Sequence, residues 1–338
     1  MLPLSHPTPR FWSISVKTQR YSYGAVVAAV AVGLLAPGLA NWLLGPALLV
    51  GMVLLGVAHG ACDQYVVPAT HPTLAEDKLR YWARFLVGYL GLAAAVGVLW
   101  WWQPAMAVTF FFVLTVWHWG SADAPAQARH RAQWLAHSLL RGSLIFAVPL
   151  WHQPFETQAT VNGLLELAGA APVRAAAIAQ AAAIIGPAVL VGHLVLWLSY
   201  VWESQSSLAL TDALEVALLT LLLVVLPPVL SGGMYFVFWH SLQHVLRMNQ
   251  LMDHRLATRR PGLVAELKFF LRRSAPLLLI SIAGLAVVFG LAWTRAASGS
   301  VLVSLALLAA SVVTLPHALL VTLGMDAPRW RRAESGGS

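Results

Sequence analysis

Long apolar runs, separated by short polar connectors, recur along the chain from Tyr23 to Gly324. Each run is close to the length of about 20 residues that an α-helix needs to cross the hydrocarbon core of a bilayer. Ten runs fit this description, and the predicted range is eight to ten because the fourth and eighth are short. The predicted spans are, in order, Tyr23–Leu44 (interrupted near Pro37 and Gly38), Pro46–Val67, Ala83–Trp102, Ala105–Trp119, Trp134–Trp151, Ala176–Trp202, Asp212–Leu230, Gly233–Met248, Ala275–Thr294 and Ser300–Gly324. The pattern predicts an all-α fold, a polytopic transmembrane helical bundle.

The predicted spans leave little of the chain for any other domain. Hydrophobic residues make up 59% of the 338 positions and charged residues only 10%, against about 25% charged residues in soluble domains. We therefore expect one transmembrane domain over residues 23–324. A cytoplasmic N-terminal arm, 1–22, would precede it and a cytoplasmic C-terminal tail, 325–338, would follow. The apolar run from Gly24 lacks a small-residue cleavage site, which favours a retained helix over a removed signal peptide.

The net charge of +8 comes from basic residues that cluster in alternate connectors. Lys78–Arg84 follows the second span, and Arg247–Arg273 follows the eighth. Because basic residues are enriched on the cytoplasmic side, this pattern predicts a multi-pass protein of the cell (inner) membrane with both termini in the cytoplasm. Arg174 and the acidic connector Glu203–Asp212 depart from it. Since the basic residues flank apolar runs, we expect the lipid bilayer, not nucleic acid, as the partner of this charge.

Five histidines occur at predicted membrane depth, where ionisable residues are costly and usually functional. They are His59, His118, His240, His244 and His317. They fall on the second, fourth, eighth and tenth spans, which all run from the outside to the cytoplasm if the span count is ten. Each lies a few residues before a cytoplasmic connector or tail, so we expect all five at a similar depth.

The spacing of these histidines favours a metal site. His240 and His244 are four residues apart, so their rings would project from one helix face about 6 Å apart and could bind one ion. Asp63 has the same spacing from His59 and could accept its second ring N–H, as Asp123 could less directly for His118. Imidazole ligands suit Fe, Cu, Zn or Ni, and with Cys62 as the only cysteine a cysteine-based site is excluded.

Other readings of these polar residues stay open at this point. A single membrane histidine can simply bond a neighbouring helix, and the Trp100–Trp102 run is typical of an interfacial belt. His137 and Arg141 share a helix face and are further candidates for a pocket.

Four segments resemble the Brp/Blh family of membrane β-carotene 15,15′-dioxygenases. They are His59-Gly60-x-x-Asp63, His118-x-Gly120-x-x-Asp123, His240-x-x-x-His244 ending in Arg247, and Pro316-His317. They occur in the family's order and extend over most of the chain. Two positions depart from the expected pattern: Trp119 stands where the family has Phe, and Gln243 where it has a basic residue.

The resemblance implies O₂-dependent cleavage of the central double bond of β-carotene into two molecules of all-trans-retinal at a non-haem Fe(II). The implied iron ligands and catalytic residues are His59, His118, His240 and His244. The residues expected beside these ligands or in the pocket wall are Asp63, Asp123, His317, Arg247 and Trp119, and His317 is kept as a possible ligand. A functional link to a retinal-binding rhodopsin is a further expectation.

Three alternatives use the same histidines differently. A transporter or channel would place polar residues at several depths, whereas these are expected at one. Another membrane metalloenzyme, such as a hydroxylase or desaturase, would be favoured by several His-x-x-x-His pairs, of which the chain has one at membrane depth. A haem-binding electron-transfer protein would use two of the histidines as axial ligands.

Overall fold

The computed structural model describes residues 16–125, 127–252, 262–294 and 299–326, and within them it contains eleven helices and no strand. The helices are α1 (Val16–Leu35), α2 (Pro37–Thr70), α3 (Lys78–Trp102), α4 (Pro104–Asp123), α5 (Arg131–His152), α6 (Pro154–Leu167), α7 (Ala175–Trp202), α8 (Ser206–Val225), α9 (228–251), α10 (Leu263–Thr294) and α11 (Gly299–Asp326). The predicted all-α bundle is confirmed.

Seven of the described helices are long and apolar enough to cross a membrane by length and composition, namely α2, α3, α4, α7, α8, α10 and α11. The chain is therefore a multi-pass membrane protein. Three more described helices reach spanning length: α1 with 20 residues, α5 with 22, and α9 as consecutive segments of 7, 7 and 10.

Some predicted boundaries were wrong. The first helix ends earlier than predicted: α1 stops at Leu35, not Leu44. The next helix, α2, starts at Pro37, because the missing N–H of proline is tolerated at a helix start. The ninth predicted span, Ala275–Thr294, corresponds to α10, which begins earlier, at Leu263. Lys268 therefore lies on a helix and not in a connector. Part of the expected arm, 16–22, belongs to α1, and part of the expected tail, 325–326, belongs to α11. Residues 1–15 and 327–338 lie outside the described residues.

Three of the spans contain stretches that are not regular α-helix. In α2, a π-helical stretch, Met52–Val57, leads into a 3₁₀ stretch, Ala58–Tyr65. In α9, Tyr235–Ser241 is π-helical, and α11 ends in the π-helical stretch Val321–Asp326. Such stretches inside longer helices frequently occur at functional sites.

Helices α4 and α5 cross with their backbones in contact. A Cβ added to Gly120 would lie 1.7 Å from the Ser138 carbonyl oxygen, and one added to Gly142 would lie 1.9 Å from the Val116 oxygen. Small residues allow this approach between membrane helices. The crossing fixes the end of α4 and so the position of His118, two residues before Gly120.

Candidate metal centre

Five imidazole rings from four helices meet in one buried cluster. The distances between the centroids of neighbouring rings range from 4.7 Å to 6.5 Å. No side chain in the cluster is more than 8% exposed. The members are His59 in the 3₁₀ stretch of α2, His118 near the end of α4, His240 and His244 on α9, and His317 on α11. The structure thus brings together all five histidines expected at one depth.

The two histidines of α9 are arranged as their spacing predicts. The ring centroids of His240 and His244 lie 6.5 Å apart and the planes differ by 17°. His240 ends the π-helical stretch and His244 belongs to the regular helix after it. Both rings therefore face the cluster from one side of α9.

Two of the rings are oriented by hydrogen bonds from Nδ1. His59 donates from Nδ1 to the Gly56 carbonyl oxygen at 2.5 Å. His317 donates from Nδ1 to the Asp63 carboxylate, with both oxygens 2.9 Å away. A ring whose Nδ1 carries the proton keeps Nε2 as an electron-pair donor, so both rings are in the tautomer that a metal bound at Nε2 requires.

Many of the remaining ring nitrogens are buried without a hydrogen-bond partner in the part of the chain that the structure describes. These are both nitrogens of His118, His240 and His244, and Nε2 of His317. A buried polar atom without a partner typically costs about 1–3 kcal/mol, so such a group of them calls for an explanation.

A metal ion fits this set of donors. One nitrogen from each of His59, His118 and His240 lies within 4.8 Å of the others, and the same holds for ligand atoms of Asp63, His244 and His317. Neutral imidazoles are good ligands for Fe, Cu, Zn and Ni and poor ones for Mg or Ca. The cluster therefore has the chemistry of a transition-metal site.

The predicted partner of Asp63 was wrong. The carboxylate, 1% exposed, binds His317 and not His59, and it also accepts a hydrogen bond from the Tyr89 hydroxyl at 3.0 Å. In the 3₁₀ stretch, residues four apart are not stacked as in an α-helix, which separates Asp63 from the His59 ring. Tyr89 was not predicted, because an α3 tyrosine in an aromatic run carries no motif.

The predicted partner of Asp123 was also wrong. Its carboxylate accepts from the Tyr235 hydroxyl at 3.1 Å and from the Trp239 indole N–H at 2.9 Å. Both donors belong to the π-helical stretch that carries His240. Asp123 thus connects the end of α4 to α9 and does not orient His118.

Arg247 lies on α9, three residues after His244. Its Nη1 donates to the Ala122 carbonyl oxygen at 3.1 Å and lies 3.9 Å from Asp326, a buried carboxylate that sequence analysis did not identify. Ser121 donates to Asp326 at 3.2 Å. These contacts fasten α4, α9 and α11 to one another next to the cluster.

Aromatic rings cover another side of the histidines. Phe236 lies 5.5 Å from His59 and 6.1 Å from His240 between ring centroids. Trp119 lies 5.8 Å from both Phe236 and His240. The predicted role of Trp119 as an aromatic neighbour of the pocket therefore has a structural basis.

His137 and Arg141 belong to a different buried network. His137 Nε2 and Arg141 Nη2 contact the same Asp212 oxygen, at 2.8 Å and 2.5 Å, and Arg141 also binds Glu215 at 2.7 Å. Tyr23 donates to Glu215. The network joins α1, α5 and α8, so these two predicted pocket candidates pair with carboxylates and not with the histidine cluster.

Comparisons with known proteins match most of the chain. A model of the family described as beta-carotene 15,15'-dioxygenase matches residues 50–325. The chain is 28% identical over 305 residues to the "Probable beta-carotene 15,15'-dioxygenase Blh" of Halobacterium salinarum, covering 81% of this chain and 82% of that protein. It is 27% identical over 219 residues to the "Probable beta-carotene 15,15'-dioxygenase Brp" of the same organism, covering 61% and 58% respectively. No solved structure matches the chain.

Proposed function

The chain belongs to the β-carotene 15,15′-dioxygenase family, and we propose that it uses O₂ to cleave the central double bond of β-carotene into two molecules of all-trans-retinal. One oxygen atom of O₂ enters each aldehyde, so no other reductant or oxidant is consumed. The family match argues against the two alternative functions of a transporter and a haem-binding electron-transfer protein. It makes the chain a member of a family of carotenoid-cleaving enzymes. The observation that supports the reaction best is the buried five-histidine cluster.

The proposed cofactor is Fe(II) bound by His59, His118, His240 and His244, and bound iron would activate O₂ next to the alkene. We add His317 to the proposed ligands. Its Nδ1 is bonded to a carboxylate and its Nε2 has no protein partner among the described residues, which is the arrangement typical of metal-ligating histidines. Asp63 would then hold the His317 ring in position.

The protein's other contribution is an apolar, water-poor setting for an apolar substrate. The cluster is buried between helices, of which α2, α4 and α11 are long and apolar enough to cross a membrane, and the rings of Trp119 and Phe236 cover one side of it. β-Carotene partitions into the bilayer, so a site between helices can receive it without passage through water. The proposed location is the cell (inner) membrane, with both termini in the cytoplasm, as the basic residues of alternate connectors predict. Retinal released there would be available to a retinal-binding rhodopsin.

The test is expression in a bacterial host that makes β-carotene. The wild-type chain should remove the orange colour and yield retinal as the sole product. His118→Ala and His240→Ala should leave the carotenoid intact, because each removes one proposed ligand. His71→Ala, at an exposed position away from the cluster, is the matched control and should keep full activity. Unchanged carotenoid with wild-type protein present in the membrane would contradict the proposal.

A further inference from the structure

A series of four aromatic side chains starts at the histidine cluster. Phe236 and Trp119 both contact His240, with ring centroids 6.1 Å and 5.8 Å from it, and lie 5.8 Å from each other. Phe146 follows Trp119 at 5.7 Å and Phe112 follows Phe146 at 5.1 Å, again between ring centroids. The rings come from α9, α4, α5 and α4, so tertiary packing and not local sequence creates the series. We call these four residues the aromatic file.

The angles between neighbouring ring planes show which members of the aromatic file are nearly parallel and where this arrangement ends. Phe236 is inclined by 17° to His240 and by 28° to Trp119, and Trp119 by only 9° to Phe146. The file therefore presents nearly parallel, offset π-faces. Phe112 departs from this order, since it meets Phe146 edge-on at 71°. The flat part of the file ends at Phe112.

The four rings are less buried than two neighbouring aromatic side chains of α9. Tyr235 and Trp239 are fully buried at 0% and 1% exposure and bond to Asp123. All four members of the aromatic file are only partly buried. A continuous series of partly exposed rings borders accessible space, whereas rings that only fill a core are enclosed on every side.

We propose that the aromatic file holds one half of the polyene and that Phe146 and Phe112 determine which double bond reaches the metal. The inference rests on the proposed function. A conjugated chain is flat and apolar, and it packs against offset aromatic faces. The edge-on Phe112 ring blocks the outer end of the bound polyene. Since β-carotene is symmetric, the distance from this stop to the cluster sets the cut at the central bond.

Truncating the Phe112 side chain should therefore change which products form, and not only the rate of cleavage. Phe112→Ala would let the polyene slide outward, which brings a neighbouring C=C to the metal. The same reaction with O₂ then yields two aldehydes of unequal length in place of two retinals. Phe146→Ala would loosen the chain midway and should also release unequal aldehydes.

The experiment quantifies all cleavage products by liquid chromatography and mass spectrometry for wild type, Phe112→Ala and Phe146→Ala. The ratio of retinal to unequal apocarotenals should fall by about tenfold or more in each variant, the size of effect expected when a pocket contact is removed. Phe110→Ala is the matched control, because Phe110 is 36% exposed on the same helix and stands outside the file. It should give retinal alone.

Three results separate the possible failures. If wild type makes no retinal, the proposed function fails. If wild type makes retinal and both variants make retinal alone, at any rate, the aromatic file does not position the substrate and the inference is wrong. If a variant does not accumulate in the membrane, Phe112→Leu, which keeps most of the side-chain volume, replaces it and should show a smaller shift in the same product ratio.

Discussion

Asp63 and His317, which are 254 positions apart in the chain, form a buried pair in which both carboxylate oxygens lie 2.9 Å from Nδ1 of the ring. The pair joins α2 to α11, and the His317 ring lies 4.7–5.2 Å, between centroids, from the rings of His59, His118 and His244. A carboxylate in this position fixes the tautomer and raises the basicity of a metal-binding imidazole.

Asp63→Asn should therefore weaken metal binding without removing any proposed ligand. The amide lacks the negative charge that supports the His317 N–H, so we expect the affinity for ferrous iron to fall by about 10- to 100-fold. Metal content after dialysis against graded chelator measures this. Glu76→Gln, which changes an exposed carboxylate in the connector after α2, is the control and should match wild type.

His317→Ala tests whether that ring is a ligand in its own right. We expect loss of bound iron and of retinal formation as complete as for His244→Ala, because both side chains offer an unpartnered buried nitrogen. Elemental analysis of the purified protein measures the bound iron, and the retinal assay measures the activity of the same preparation. A His317→Ala protein that keeps both iron and activity would limit the ligands to the other four.

Gly120→Ala should disrupt the crossing of α4 and α5. The added Cβ would lie 1.7 Å from a backbone oxygen, so the helices must separate and His118 must move with α4. We expect a lower midpoint of thermal unfolding in detergent and loss of retinal formation. Gly97→Ala is the control, since a Cβ there meets nothing within 4 Å, and it should leave both measurements unchanged.

Arg141→Met should destabilise the fold through a different region. It leaves the buried Asp212 and the partly buried Glu215 without their cation, and breaking a buried ion pair from one side typically costs about 3–5 kcal/mol. Unfolding in a denaturing detergent measures the loss. Arg80→Met removes a pair with Asp77 that is largely exposed, so its effect should be about 0–1 kcal/mol. Equal effects of the two substitutions would contradict the structural role of the network.

The convergence of the histidines could be predicted from the sequence because depth in a membrane follows from span order and direction. Spans that run the same way bring residues near their corresponding ends to one level, and the structure places His59, His118, His240, His244 and His317 together. The 6.5 Å separation of the α9 rings likewise follows from a four-residue spacing.

The partners of the carboxylates could not be predicted in the same way. The prediction from residue spacing assumed an α-helix with 3.6 residues per turn. His59 and Asp63 lie in a 3₁₀ stretch, which has about 3.0 residues per turn, so residues four apart do not share one face. Asp123 meets its donors across helices, which depends on the close α4–α5 and α4–α9 packing. Asp212 and Glu215 lie three residues apart on one span, and that pattern could have been recognised as a buried acidic pair.

The most direct test of the central claim is a titration of metal-free purified protein with ferrous iron, with retinal formation from β-carotene under O₂ as the readout. We predict that activity rises with added iron and saturates at one iron per chain, and that zinc in place of iron restores none. Full activity in the metal-free protein, or saturation at a different ratio, would contradict a single iron held by the histidine cluster.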